Sequence, residues 1–386
     1  MQANREEGLA DFEQRAWYQT WLNRAFGMML VEQNLLSKED YQKIDRGLVS
    51  VQARETMERF KNAAPGMDIY FYYENALYEE IGMDTAKLHV GRSRNDIYFT
   101  LWRMSLREAA LHLMEEAVET QKAIEKHASE NLYTIIPFYT YGQPAQPGTW
   151  AHYLMTIHAY LESDLERLRH AYATINKCPM GAAAGIGTAF HLNKYRVAEL
   201  LGFDGTLENT TVANAAADYF LELISDMAIL NTTLGRVGSD LAFFSSAECN
   251  ILDGDAAVCS GSSIMPQKKN YDPGSTLRSR ASHFYSYLSD AMTSAGSVTM
   301  FPDHTIFDYY PAFSSMKILR MALDHTKTRK DVAYLRARDG FTAATHMAEQ
   351  LTMEVGEPFV KTHHIVGNMI HTLMDEDRLR VENMTP

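Results

Sequence analysis

Residues 101–131 read LWRMSLREAALHLMEEAVETQKAIEKHASEN, with no glycine or proline and with apolar residues recurring at three- and four-residue spacing between Glu, Lys and Arg. One helix of roughly 45 Å, at about 1.5 Å per residue, fits this stretch. That is longer than a small domain is wide, so the run dictates an elongated arrangement. Similar runs follow at 149–172, 213–244 and 275–295. Long helices of this kind hide their apolar stripes most simply side by side. The reading is therefore all-α, a long-helix bundle, with only 11 prolines in 386 residues to interrupt it.

At 46% hydrophobic residues the chain can build two or three packed units. A formal net charge of −13 repels nucleic acid and anionic membrane at long range, so neither is expected as a partner, and an anionic substrate would need a local cationic pocket. Cys178, Cys249 and Cys259 are odd in number and lack CxxC spacing, giving neither a disulfide framework nor a zinc site. The beginning MQANREEGLADFEQRAW has no basic stretch followed by an apolar core, and no run of 18 uncharged apolar residues occurs. A soluble, cytoplasmic protein is the expectation, with no metal and no cofactor.

Four glycine- or proline-bearing segments lie between the helical runs: 89–96, 137–149, 178–190 and 259–273. Chemistry is usually placed on such connections. In Gly261-Ser262-Ser263-Ile264-Met265-Pro266-Gln267-Lys268-Lys269-Asn270, glycine before paired hydroxyls lets backbone N–H groups turn inward, with two lysines close behind. By residue type alone this is either an anion-binding loop beside an activated serine or a solvated connector. GAAAGIG at 181–187 lacks a following GK[ST] and reads as packing, and the adjacent His363 and His364 lack HExxH spacing and read as structural.

GSSIMPQKKN matches the GSSxMPxKxN signature of the fumarase/aspartase superfamily at every fixed position, and its glutamine and paired lysines resemble the argininosuccinate lyase form. HVGRSRND (89–96) resembles the same family's LHTGRSRND, CPMGAAAGIGTAF (178–190) its CPLGSGAxAGTxF, and HHIVG (363–367) its C-terminal helical region. The resemblance covers nearly the whole chain. It implies Ser262 as general base, with Lys268 and Asn270 binding the substrate carboxylate and helping Ser262 to ionise, and with Ser263 and Met265 at the substrate. It further implies substrate contacts from Ser93, Arg94 and Asn95, Arg94 being able to grip a carboxylate through two parallel hydrogen bonds. Tyr139 to Pro147 resembles the family's YTHLQxAQP, which makes Thr140 and Gln143 candidates.

The match breaks at the nitrogen side. The histidine usually assigned to proton transfer is Tyr141 here, and the glutamate that pairs with it aligns with Ser275. A phenol, with an ordinary pKa near 10, is a poorer acid than imidazolium at neutral pH. Loss of both members leaves no buried charge without its partner, so the change reads as adaptation. DIYFYYE (68–74) resembles the family's DIHxxxE with Tyr70 for histidine and Asp68 kept, and Phe301, Ile306 and Tyr309 stand where the family holds the amino-acid half of its substrate. The succinyl half is preserved and the leaving-group half rewritten, with Tyr70, Tyr72, Tyr73, Tyr139 and Tyr141 available to line a wider aromatic site.

The resemblance thus implies a carbon–nitrogen lyase that releases fumarate from an N-substituted aspartate, or runs in reverse, on a small-molecule dicarboxylate or succinyl-amine substrate. The alternatives are true argininosuccinate lyase and a non-catalytic, crystallin-like relative. Implied too are an N-terminal helical domain (1–97), a central bundle (98–342), a C-terminal helical domain (343–386), and a homotetramer whose active sites draw loops from three subunits.

Overall fold

The computed structural model describes residues 12–55, 59, 62, 69–297 and 310–382. Helices dominate. In chain order they are α1 (Phe12–Glu32), α2 (Lys38–Arg54), α3 (Ile69–Ile81), a 3-10 turn (Gly82–His89), α4 (Arg94–Ser129), α5 (Trp150–Ile175), α6 (Lys194–Leu200), α7 (Thr210–Ala215), α8 (Asp218–Phe244), α9 (Asp272–Ser294), α10 (Tyr310–Asp324), α11 (Lys330–Asp339), α12 (Ala344–Val355) and α13 (Phe359–Glu382). Three antiparallel strand pairs interrupt them: β1 (Ile135–Thr140) with β2 (Gln143–Thr149), β3 (Leu252–Gly254) with β6 (Thr326–Thr328), and β4 (Cys259–Gly261) with β5 (Lys269–Tyr271). Among the described residues no helix is long and apolar enough to cross a membrane.

The long run at 101–131 is α4, which begins earlier, at Arg94, and at 36 residues is about 54 Å long. The run at 213–244 is broken. Ala216 takes an extended conformation at φ −64 and ψ 133, ending α7 before α8 starts at Asp218. The segments 137–149 and 259–271, read from sequence as irregular connections, are β-hairpins.

The chain divides into two compact units. The first holds residues 1–115, 164–230 and 282–313. Its core joins α1, α2 and α3 through Leu22, Phe26, Met29, Leu30, Ile44, Leu48 and Leu77, all fully buried, each worth roughly 1.5–3 kcal/mol. Arg103 is buried with its guanidinium 3.7 Å from the Tyr219 ring centre and donates to the carbonyls of Thr174 and Ile175, which end α5. Tyr73 belongs to the core, its hydroxyl against Thr20, so it lines no substrate site within this chain, and the hydroxyl of the half-buried Tyr72 is bonded to Glu55.

Asp164 on α5 and Asp226 on α8 are also buried in the first unit, each with one carboxylate oxygen lacking a hydrogen-bond partner. Burial pushes both carboxyls up to about 6, with Glu222 adding to the rise at Asp226 and Arg167 opposing it at Asp164. A raised carboxyl pKa means the folded state binds the proton better than the unfolded chain. The contribution is full below about pH 4 and disappears as pH rises through about 6. A shift of two units corresponds to about 3 kcal/mol. Asp226→Asn should accordingly shift the urea midpoint upward at pH 7.5 relative to wild type and hardly at all at pH 4. Equal effects at both values would contradict this assignment.

The second unit holds residues 116–163, 231–281 and 314–386. Arg320 on α10 locks to α4 through Glu116 at 2.6 Å and Thr120 at 2.8 Å. An aromatic cluster ties β1–β2 to α5 and α8: Trp150 stacks on Tyr153 at 5.0 Å, Tyr153 meets Phe244 at 5.3 Å, and Tyr139 meets Phe243 edge-on at 4.9 Å. Tyr139 is thus a packing residue. Helix α11 lies against the same hairpin, and its close approach needs Gly340, where a Cβ would fall 2.8 Å from Pro144.

Candidate active site

The serine-lysine segment forms the tip of the β4–β5 hairpin, in which Ser260 pairs with Asn270 and Gly261 with Lys269. The reversal brings the two ends of the motif together, and Asn270 Nδ2 donates to the Gly261 carbonyl at 3.5 Å. Within the loop, the backbone N–H groups of Met265 and Ile264 both donate to Ser262 Oγ, at 3.2 and 3.4 Å. Two donors converging on one hydroxyl oxygen favour its ionised form. The Lys268 N–H closes the turn onto the Met265 carbonyl at 3.0 Å. Ser262 is half-buried, whereas Ser263, Met265 and Lys268 are exposed.

The two lysines are not equivalent. Lys269 lies in β5 and its ammonium is taken by Asp253 on β3 at 2.7 Å, with Arg329 on the same carboxylate at 3.1 Å. Lys268 has no such partner among the described residues, so it is the lysine free to meet an anion. Asp253 and Arg329 therefore hold the hairpin, a role with no sequence signal because neither is near the motif in the chain.

Thr140, Tyr141 and Gln143 sit at the tip of the β1–β2 hairpin, all exposed. Thr140 pairs with Gln143, leaving Tyr141 and Gly142 as a two-residue turn with φ of 52 and 75. Both are left-handed, as a type I′ turn requires. Glycine adopts this freely, but tyrosine pays about 1–2 kcal/mol for it. Tyr141→Asn should raise the unfolding free energy by about 1 kcal/mol in urea titration, since asparagine tolerates the left-handed region; an unchanged or lower midpoint would show the turn to be unstrained. Ser275 Oγ donates to the Asp272 carbonyl at 3.1 Å in the first turn of α9, and no imidazole–carboxylate pair occupies the relay positions.

In the first unit, Ser93 is the residue before α4, and Asn95 N–H donates to its Oγ at 3.3 Å. Asp96, three residues on, accepts from the Ser93 N–H at 2.9 Å, the reciprocal half of a capping box. Its other oxygen accepts from the N–H groups of Ala183 at 2.9 Å and Gly181 at 3.1 Å. One fully buried carboxylate thereby joins GRSRND to GAAAG, holding Ala183 at φ 50. Burial pushes the Asp96 carboxyl up to about 6 against the downward pull of those three donors. The Ser-x-x-Asp spacing signals the cap, but nothing in the sequence signals the second loop. Arg94 is exposed over the Phe71 ring at 5.3 Å, and Asn95 is half-buried beside it. Asp68, Phe301, Ile306 and Tyr309 lie outside the described residues.

The structure thus gathers Ser262, Ser263, Met265, Lys268 and Asn270 on one hairpin and Thr140, Tyr141 and Gln143 on another. Among the described residues no hydrogen bond joins the two sets.

Such a framework, long helices carrying a serine–lysine hairpin, is that of the helical lyases. A solved EDDS lyase variant with bound fumarate aligns at a TM-score of 0.87 and 30% identity, over 97% of this chain and 76% of that one. The model of the family described as Lyase matches residues 3–282, and the chain belongs to that family, within the fumarase/aspartase superfamily. It is an argininosuccinate lyase-like carbon–nitrogen lyase: the argininosuccinate lyase of Methanosarcina barkeri is 35% identical over 365 residues, 92% of this chain and 74% of that one. That of Methanocaldococcus jannaschii is 34% identical over 365 residues, 92% and 75% respectively.

Proposed function

We propose that this protein catalyses the reversible β-elimination of an amine from an N-substituted aspartate, giving fumarate, and that its amine is not arginine. The observation carrying this reading is Ser262 Oγ at the hairpin tip, accepting two backbone N–H groups, on the same loop as Lys268, which has no ion-pair partner among the described residues. The argininosuccinate lyases and the fumarate-bound EDDS lyase variant support the succinyl side of the reaction.

Removing hydrogen from the carbon next to a carboxylate builds a second negative charge on that carboxylate, and donors must already face it. Ser262 as alkoxide takes the proton. Lys268, Asn270 and Thr140 hold the resulting dianion, with Ser93, Arg94, Asn95 and Gln143 gripping the rest of the substrate. The carbon–hydrogen electron pair then forms the double bond as the nitrogen leaves from the neighbouring carbon. Tyr141 and Ser275 supply no imidazole–carboxylate relay, so the leaving nitrogen takes its proton from Tyr141 acting with help, takes it from water, or departs without one. This favours an amine unlike that of argininosuccinate.

An alkoxide base works in a site closed to water, yet the tips bearing Thr140, Tyr141 and Lys268 are open in a single chain. The reading therefore includes a homotetramer in which loops of different copies close on one another. Apolar residues exposed on the long helices, Ile229 and Phe243 on α8 and Tyr285 and Met292 on α9, support burial against further copies.

The test is to incubate the protein with fumarate and ethylenediamine, arginine, diaminopropionate, nitrite or hydrazines, and to identify adducts by mass. An adduct with a partner other than arginine is expected. Preferential formation and cleavage of argininosuccinate would return the chain to the arginine-specific activity.

A further inference from the structure

The second unit contains a cavity of about 420 Å³, within the range that small-molecule sites occupy. Its floor is apolar: Trp150, Leu241, Leu252 and Leu323 present buried side chains to it. Its lining carries charge of both signs. Lys327 and Lys330 belong to it, and neither forms an ion pair among the described residues, whereas the nearby Lys269 and Arg329 are both taken by Asp253. Glu130, His127 and Asp324 belong to it too, with His127 Nε2 2.9 Å from Asp324 and its Nδ1 3.9 Å from Glu130. Two carboxylates share one imidazole, so that acidic group stays net negative even when His127 is protonated.

We propose that this cavity is a binding site for a small zwitterion, an amino acid whose carboxylate meets Lys327 and Lys330, whose ammonium meets Glu130 and Asp324, and whose hydrocarbon lies on Trp150. A purely anionic ligand leaves the acidic group uncompensated, and a purely cationic one leaves the lysines so. The inference goes beyond the reaction proposed above and does not depend on it.

Occupancy is felt at the serine hairpin. Tyr271 lines the cavity, follows Asn270 directly, and shares a hydrogen bond of 2.9 Å with Thr326, another lining residue. Lys327 pairs across the β3–β6 ladder with Asp253, whose carboxylate holds Lys269. A ligand packed against Tyr271 and Thr326 therefore bears on the hairpin through the residue that follows Asn270.

Calorimetric titration of the full-length protein tests this, with glycine, γ-aminobutyrate and 6-aminohexanoate as zwitterions and hexanoate and hexylamine as single-charge controls. At least one zwitterion should bind saturably and at least tenfold more tightly than either control. Lys327→Glu and Glu130→Lys, both at exposed positions, should each weaken it at least tenfold, Ser262→Ala should leave it unchanged, and hydrogen exchange across residues 259–271 should slow on binding. Absence of binding by every zwitterion, equal binding of the controls, or indifference to both charge reversals overturns the proposal. Loss of binding in Ser262→Ala would place the ligand at the catalytic loop and overturn it equally. Failure to find a fumarate adduct bears only on the proposed reaction.

Discussion

Ser262→Ala is expected to lower turnover about 10³-fold, the middle of the range for losing a positioned general base, while leaving the fold intact. The alanine removes the oxygen that Met265 and Ile264 N–H groups face, but those groups are exposed in the hairpin tip and can turn to water. Stability should therefore change by less than about 1 kcal/mol. Substrate affinity should persist, because carboxylate binding is assigned to Lys268, Asn270 and Arg94. Lys268→Met is the contrasting variant: it removes a charge that the transition state needs more than the ground state, so kcat should fall further than KM rises. Turnover in Ser262→Ala within tenfold of wild type, in any assay of a true substrate, would remove Ser262 from the role of base.

Asp96→Ala should destabilise the first unit by roughly 2–3 kcal/mol, since it strands three backbone donors in a half-buried position. The same change frees Ser93 and Ala183 from a common anchor, so any protein that still folds should show weakened substrate binding through Ser93, Arg94 and Asn95. Asp96→Asn keeps one acceptor oxygen and should cost less. A urea midpoint for Asp96→Ala equal to that of wild type would mean the carboxylate does not organise these loops.

The helical frame could be read from sequence because its cause is local. In α4 and α5 a sustained apolar stripe and the absence of glycine and proline decide the outcome almost alone. The break between α7 and α8 could not be seen, since Ala216 and Ala217 are good helix formers and carry no local signal for the extended conformation at Ala216. The β1–β2 hairpin was hidden for another reason: Tyr141 stands where asparagine would have signalled the turn, and Pro144 and Pro147 lie within β2 itself. In the site, the residue types at 262, 268 and 270 show their chemistry openly. What holds them does not, because Asp253 reaches Lys269 across 16 positions and Asp96 reaches Ala183 across 87. The aromatic expectation failed at Tyr73 for the usual reason that a tyrosine between helices is packed before it is anything else.

The most direct measurement of the central claim is the addition reaction run in D2O with fumarate and whichever amine gives an adduct. If Ser262 carries the proton to and from the carbon beside the bound carboxylate, each adduct acquires one deuterium, on that carbon and on one face only, and Ser262→Ala incorporates essentially none. Adduct without deuterium at that carbon, deuterium on both faces, or incorporation persisting in Ser262→Ala would contradict the account.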